Sequence, residues 1–256
     1  MDFLAIIPAR YGSSRFPGKP LAEIDGIPMI EHVRRRTSAV YRNCWVATDD
    51  PRISRTVERF GGRAVLTSPN HRSGTDRCAE ALEIIEAAEG KKFDVVVNIQ
   101  GDEPFLAEEH LRAIMRPFGN AATCIATLVK PFGPGEDIFN PNIPKVAYAN
   151  GRALWFSRSA IPYLRGRENG EWQRSYPYMK HIGMYAYRTD VLRSLASLPA
   201  GTLEAAESLE QLRWLENGYC IMAEVTHAET MAVDTPDDLN RITGHIQALK
   251  LHDTEK

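Results

Sequence analysis

The stretch FLAIIPARYGSSRFPGKP, residues 3–20, decides how the fold is read. Five mostly apolar residues run straight into a loop carrying Arg10, Arg15 and Lys19 with two glycines, three prolines and two serines. A strand that gives way at once to cations and small residues belongs at the carboxyl edge of a parallel sheet, where open α/β folds take their ligands. Gly12, Ser13 and Gly18 let backbone N–H groups approach an anion, while the three cations neutralise it. The bland alternative is a solvated basic turn, but so many cations and prolines are unusual in an idle connection. GxxxxGK[ST] is absent, and so is a GxGxxG answered by an acidic residue at the end of a second strand. Neither a P-loop kinase nor a dinucleotide dehydrogenase is supported.

Working outward, short apolar runs alternate with helical patterns, as expected of parallel βαβ units: FLAII, then PMIEHVRRRTSAV, then CWVAT. PRISRTVERF, residues 51–60, follows Asp49 and Asp50, has proline in its first turn and stops at Gly61 and Gly62, which predicts a helix; a short strand follows over 63–66. SGTDRCAEALEIIEAA puts Ala79, Leu82, Ile85 and Ala88 on one helical face, and FDVVVNI reads as a strand buried on both sides. From about residue 120 the pattern changes. KVAYANGRALWFS predicts two strands joined at Asn150 and Gly151. LRGRENGEWQRSYPY reads as a surface loop or mobile segment. HIGMYAY reads as a strand, LEAAESLEQLRWLENG as one helix, YCIMAEV and TMAV as strands, and TPDDLNRITGHIQALK as a capped final helix. The expected whole is a single domain over 1–256, a layered α/β/α fold on a mixed, mainly parallel sheet, with a lobe inserted over 130–190.

Composition sets the limits. Lys plus Arg is 31 against 33 Asp plus Glu, so a formal charge of −2 gives no reason to expect a nucleic-acid partner. Four scattered cysteines with no CxxC pair fit reduced structural thiols and a cytoplasmic location. The N-terminus carries no secretory pattern, and no apolar run reaches the roughly 20 residues of a membrane span, so no membrane association is expected.

Five further stretches carry chemistry. VVVNIQGDEP, residues 95–104, ends a strand at Asp102, whose carboxylate is suited to Mg²⁺ beside phosphate oxygens; its plain alternative is a turn capping the next helix. AVDTPDDL places Asp234 either as a second metal ligand or as a helix cap. In NHRSGTDR, residues 70–77, Ser73 and Thr75 suit helix capping, while Arg72, Arg77 and the Gly74 backbone suit a ligand at the same sheet edge. KHIGMYAYR and ESLEQLR supply His181, Tyr185, Glu210 and Gln211, a set able to bind a hydroxylated acidic ligand, though His181 and Glu210 each have an ordinary structural reading.

IIPARYGSSRFPGKPL, VATDD, SGTDR, NIQGDEP, NPNIPKV, FSRSAIP, HIGMYAYR, LEQLR and VDTPDDL occur in this order from residue 6 to 239. In this the chain resembles the 3-deoxy-manno-octulosonate (Kdo) cytidylyltransferase family over nearly its whole length; the opening motif by itself specifies only the wider sugar cytidylyltransferases. The resemblance implies a nucleotidyltransferase fold related to GT-A glycosyltransferases. It implies a homodimer built partly by the inserted lobe, and the reaction CTP + Kdo → CMP-Kdo + pyrophosphate. It further implies a role in lipopolysaccharide biosynthesis in the cytoplasm of a Gram-negative bacterium. Carried onto matching positions, it gives Arg10, Ser13 and Lys19 to the triphosphate, and Pro8, Ala9, Ser73, Gly74, Arg77 and Gln100 to cytosine and ribose. Asp102 and Asp234 would bind Mg²⁺, Arg10 and Lys19 would share with them the catalytic work, and Arg15, His181, Tyr185, Glu210 and Gln211 would bind Kdo. Pro144 departs from the family, which usually has a nonproline residue there.

The rival readings are a cytidylyltransferase for another ulosonic acid, such as 8-amino-Kdo or a sialic acid, a GT-A glycosyltransferase, and a noncatalytic nucleotide sensor. The glycosyltransferase is disfavoured because no DxD motif is present and because the opening loop has a lysine suited to pyrophosphate departure.

Overall fold

The structure, a computed structural model, describes residues 1–12, 16–229, 233 and 235–241. It divides into two compact units. The first comprises residues 1–93, 98–108 and 229–256, and the second 94–97 and 109–228. These limits fall outside the positions 130 and 190 at which the sequence pattern changes.

In the first unit, strand β1 (Phe3–Ala9) is followed by the minor pair β2 (Glu23–Ile24) and β3 (Ile27–Pro28), then helix α1 (Met29–Ser38). Strand β4 (Cys44–Thr48), helix α2 (Pro51–Arg59), strand β5 (Ala64–Leu66) and helix α3 (Gly74–Glu89) complete it up to residue 93. β1 lies parallel to β4, with Ala5 opposite Cys44 and Ala9 opposite Thr48, and β4 lies parallel to β5. Leu4 to Ile7 are fully buried, as an apolar strand covered on both faces requires. α2 starts as its sequence dictates: Asp50 caps it by accepting the Arg52 N–H at 2.8 Å, and Pro51 occupies the first turn. The buried face of α3 runs through Thr75, Cys78, Leu82 and Ile85, leaving Ala79 half-buried and Ala88 exposed. Alanine is too small to mark a face by itself, and the stripe is rotated from the expected one.

The second unit contains most of β6 (Val95–Asn98) and of α4 (Glu108–Ala113). It continues with β7 (Ile125–Pro131), β8 (Lys145–Ala149), β9 (Arg152–Ser157), α5 (Trp172–Ser175), β10 (Met179–Arg188), α6 (Thr189–Ala196), α7 (Thr202–Glu207), α8 (Glu210–Glu216) and β11 (Ile221–Val225). Its strand order is β6-β10-β7-β11-β9-β8. β7 and β11 are parallel, but β10 runs antiparallel to β7 and β8, and β9 antiparallel to β8 and β11. The parallel character expected of the sheet is therefore that of the first unit, while the second is mostly antiparallel. Its β8–β9 hairpin turns at Asn150 and Gly151, both with positive φ, 51° and 73°, the conformation an Asn-Gly turn supplies. Pro144, which lacks an N–H, stands just ahead of β8 and uses its carbonyl to accept the His181 N–H at 3.0 Å.

Two sequence expectations are corrected here. The run from 202 to 216 is two helices, because Ser208 adopts φ 51° and breaks the chain between α7 and α8. The segment 164–178 is not simply a surface loop: Trp172 is only 4% exposed and packs with Ile138 and Tyr178 in a core cluster of its own. Its charged neighbours face outward and mask that one large apolar residue in a reading of composition. Residues 230–232 of TMAV and most of the final helix lie outside the described residues; Val233 is described and is not in a strand, and 236–241 is helical. All four cysteines are free, and burial pushes the Cys44 thiol up to about 12. Among the described residues no helix is long and apolar enough to cross a membrane.

Candidate functional site

The carboxyl ends of the first unit's strands deliver side chains to one cavity. It is lined by Pro8, Ala9 and Arg10 at the end of β1, by Lys19 and Pro20, by His71, Arg72, Ser73, Gly74 and Arg77 at the start of α3, and by Gln100, Gly101 and Asp102 beyond β6. Of the residues that the resemblance assigns to the nucleotide and metal, Pro8, Ala9, Arg10, Lys19, Ser73, Gly74, Arg77, Gln100 and Asp102 stand together here. Ser13, Arg15 and Asp234 lie outside the described residues. Sequence reasoning assigned no part to His71 or Gly101. His71 is visible only as a histidine two residues ahead of Ser73, and its contact with Glu80 Oε2 could not be read from spacing.

Each wall has a local cause. At Gly101 a Cβ would sit 3.0 Å from the Pro8 carbonyl oxygen, so a larger residue there requires the Pro8 backbone to give way. Ser73 caps α3, its Oγ accepting the Asp76 N–H at 3.1 Å. The capping and ligand-facing readings of that serine thus coexist, since the capped helix start is itself part of the cavity wall. Arg77 is buried and donates to Thr67 Oγ1 at 2.6 Å, with Asp49 at 3.6 Å. Four cations, Arg10, Lys19, Arg72 and Arg77, face the cavity against one carboxylate, Asp102. That balance, next to the N-terminus of a long helix, suits an anion carrying several charges.

Lys19 and Asp102 are paired at 2.6 Å, and Lys19 Nζ also donates to the Val233 carbonyl at 2.9 Å. The Asp102 carbonyl accepts the Val233 N–H at 2.9 Å. Asp102 therefore is not a cap of α4, which starts six residues later; its carboxylate faces a cation inside a cavity. Among the described residues no group of three or more His, Cys, Asp or Glu side chains is arranged as a metal cage.

The second unit holds a different cluster. His181 and Tyr185 lie on β10, their ring centroids 5.2 Å apart. Between them the strand bulges: Ile182 faces Leu128 and Tyr185 faces Thr127, leaving Gly183 and Met184 without partners in register. Thr127 Oγ1 fills the gap, lying 2.8 Å from the Met184 carbonyl and 3.0 Å from His181 Nε2. Tyr185 also meets Trp214 of α8 edge-on at 4.9 Å, and His181 meets Phe156 edge-on at 5.2 Å. Burial drives the His181 imidazole down to about 4, so it is uncharged near neutrality. Burial, with the Tyr187 and Glu210 charges, holds the Tyr185 hydroxyl well above its usual range. Tyr185 Oη, which has the Thr127 hydroxyl near it but makes no well-aligned hydrogen bond, is buried, as are the unpartnered Gln211 Nε2 and Trp214 Nε1. Each such group costs about 1–3 kcal/mol, a cost that a ligand rich in hydroxyls can relieve. Glu210, at the start of α8, pairs with Arg213 at 2.8 Å. His181, Tyr185, Glu210 and Gln211 thus all belong to this unit's β10 and α8.

Comparison with known proteins gives a consistent picture. The cytidylyltransferase family model matches residues 4–226. The chain is 53% identical over 246 residues to the 3-deoxy-manno-octulosonate cytidylyltransferase of Parabacteroides distasonis, covering 94% of this chain and 96% of that one. It is 45% identical over 244 residues to the enzyme of the same name from Thermodesulfovibrio yellowstonii, covering 93% and 96%. Among solved structures, CMP:2-keto-3-deoxy-manno-octonic acid synthetase complexed with CTP superposes with a TM-score of 0.86 at 40% identity, covering 97% of this chain and 99% of that one. A Bacillus anthracis protein described as a glucose-1-phosphate thymidylyltransferase superposes with a TM-score of 0.62 at 17% identity, covering 94% of each chain, a likeness of fold alone.

Proposed function

The chain belongs to the cytidylyltransferase family, and from that premise we propose that it transfers CMP from CTP to the anomeric hydroxyl of Kdo, giving CMP-Kdo and pyrophosphate. The observation that carries this reading is the 2.6 Å pair of Lys19 and Asp102 in a cavity that also presents Arg10 and Arg77. CTP offers four negative charges to such a lining. In the reaction the sugar oxygen forms a bond to the α-phosphorus as the bond to the pyrophosphate oxygen breaks, with no covalent enzyme intermediate. What the protein must supply is alignment and neutralisation of the charge that collects on the departing oxygens. Arg10 and Lys19 provide that neutralisation, and Pro8, Ala9, Ser73, Gly74, Arg77 and Gln100 hold cytosine and ribose. Ser13 belongs to the same triphosphate set, and Arg15 to the sugar set, by motif alone.

Mg²⁺ fits this donor chemistry. Asp102 is an oxygen ligand on the cavity wall, a third exposed and with one oxygen taken by Lys19, and magnesium accepts one or two protein carboxylates beside phosphate oxygens and water. Bound there, it would stabilise negative charge on phosphoryl oxygens. Asp234 is proposed as the second carboxylate.

In the second unit, the uncharged His181, with Tyr185, Glu210 and Gln211, would bind the hydroxyls of Kdo. Support for this comes from the unpartnered Tyr185 Oη and Gln211 Nε2, which lie on the elements that a polyhydroxylated ligand would have to satisfy. A homodimer and a cytoplasmic location complete the proposal, to be checked by analytical ultracentrifugation and by cell fractionation. The decisive assay measures pyrophosphate release with CTP and with other nucleoside triphosphates, each offered with Kdo, 8-amino-Kdo or a sialic acid. Release should be greatest for CTP with Kdo. Release that is independent of the sugar, or greatest with a sialic acid, would overturn the assignment.

A further inference from the structure

Arg10 and Lys19 both face the cavity, yet nine positions separate them in sequence, and something must fix their spacing. Arg10 precedes Tyr11, and Lys19 follows Gly18. The Tyr11 carbonyl accepts the Gly18 N–H at 2.9 Å, so the two cations extend from the ends of one hydrogen-bonded closure. Gly18 is the residue this closure needs: its φ is +73°, and a Cβ there would lie 3.2 Å from the Tyr11 ring.

The other contact on that ring comes from Arg52, whose guanidinium carbon lies 3.5 Å from the ring centroid, the separation of stacked planes. Arg52 is itself held. Its Nε and Nη2 donate to the two carboxylate oxygens of Asp50 at 2.9 and 2.6 Å, and Asp50 is the cap of α2. A guanidinium fixed in this way is a rigid plate bolted to a helix start. Tyr11 is further tied through its N–H, 3.4 Å from Asp49 Oδ1. Neither Tyr11 nor Arg52 lines the cavity.

We infer that Arg52 and Tyr11 are positioning residues that set the spacing of Arg10 and Lys19 for the phosphates of a nucleoside triphosphate; this rests on the CTP reading of the cavity. Their loss should then weaken recognition of the phosphate chain and leave recognition of the nucleoside intact. The test is calorimetric binding of CTP and of CMP to the wild type, Arg52→Ala and Tyr11→Phe, with kcat and KM for CTP measured alongside. Arg52 is exposed, and in Arg52→Ala its backbone N–H still satisfies Asp50, so the helix start is retained. The wild type should bind CTP far more tightly than CMP. In Arg52→Ala that preference should shrink about two- to fivefold, as expected for loss of an exposed cation–π contact, with CMP affinity unchanged. Tyr11→Phe, which keeps the ring face, should retain the preference. If Arg52→Ala keeps the full preference, or loses CTP and CMP affinity equally, the positioning role is overturned while the cavity reading stands. A wild type with no preference for CTP over CMP would overturn the cavity reading itself.

Discussion

The cavity of the first unit and the cluster of the second solve recognition in opposite ways. In the cavity the polar groups are mostly charged, and two of the cations are already engaged: Lys19 with Asp102, Arg77 with Thr67 and Asp49. In the cluster the only charged group, Glu210, is paired with Arg213, and the rest are uncharged and partly unengaged, with Tyr185 Oη, Gln211 Nε2 and Trp214 Nε1 lacking partners. An anion can be held by charge without much cost to the empty protein where its cations have stand-in partners, as Lys19 and Arg77 do. A sugar must be read by hydrogen bonds, and those groups are left unsatisfied until the ligand arrives. The charged site should therefore be sensitive in turnover, and the neutral one in substrate affinity and in the stability of the empty protein.

The largest effect should come from the charged site. Lys19→Met should cut kcat by roughly 10²–10³-fold, the range for removing one preorganised group that meets developing charge. Asp102→Asn should lose most of its turnover while its circular dichroism and melting temperature stay near the wild type. Near-native rates for either variant in a pyrophosphate-release assay at limiting Mg²⁺ would remove the basis of the contrast.

Next in size is the neutral cluster, where affinity and stability should move in opposite directions. Tyr185→Phe should raise KM for Kdo by about tenfold and leave KM for CTP unchanged, while stabilising the empty protein by about 1 kcal/mol, because it deletes a buried hydroxyl that has no partner. Calorimetric melting beside steady-state kinetics tests both halves. A lower melting temperature would mean that the hydroxyl is satisfied in the free protein.

A third measurement is pH. His181 is held at about 4 when folded against about 6.5 when unfolded, so the unfolded chain binds the proton more readily between those values. Its contribution to stability is complete above pH 6.5 and declines as the pH falls toward 4. Denaturant titrations at pH 7 and pH 5 should show a smaller loss on acidification in His181→Gln than in the wild type; equal losses would place the titration elsewhere. The smallest effect should follow loss of the α3 cap: Ser73→Ala should cost about 1 kcal/mol of stability, with a further loss of CTP affinity because the same residue lines the cavity.

The two regions also differed in how far the sequence exposed them. The cavity was legible because its parts are local: a strand, then a turn of cations and small residues, then a capped helix, each readable within about ten positions. Asp102 could be placed at a strand end from VVVNIQGDEP alone. The cluster was legible only as residue types, since what brings β10 to α8 is packing between segments some 25 residues apart. Trp172 was hidden by its charged neighbours, and the break at Ser208 by a helical pattern that runs straight through it, because a serine with positive φ carries no sequence mark. The Arg52–Tyr11 stack joins a loop to a helix about 40 positions on, and nothing in either segment alone announces the other.

The bulge in β10 has a metric consequence. On a regular strand, residues four apart share a face but stand roughly 13 Å from each other, at about 3.3 Å per residue. His181 and Tyr185 are four apart, with Gly183 and Met184 gathered out of register between them, and their rings are 5.2 Å from centre to centre. Those two residues take up chain between the paired positions much as a tuck takes up cloth. The facing of this pair is thus written in chain length as well as in side-chain chemistry. Deleting Gly183 would take one of the two extra residues out of the bulge and reverse the alternation between His181 and Tyr185, so the pair could no longer face the same side.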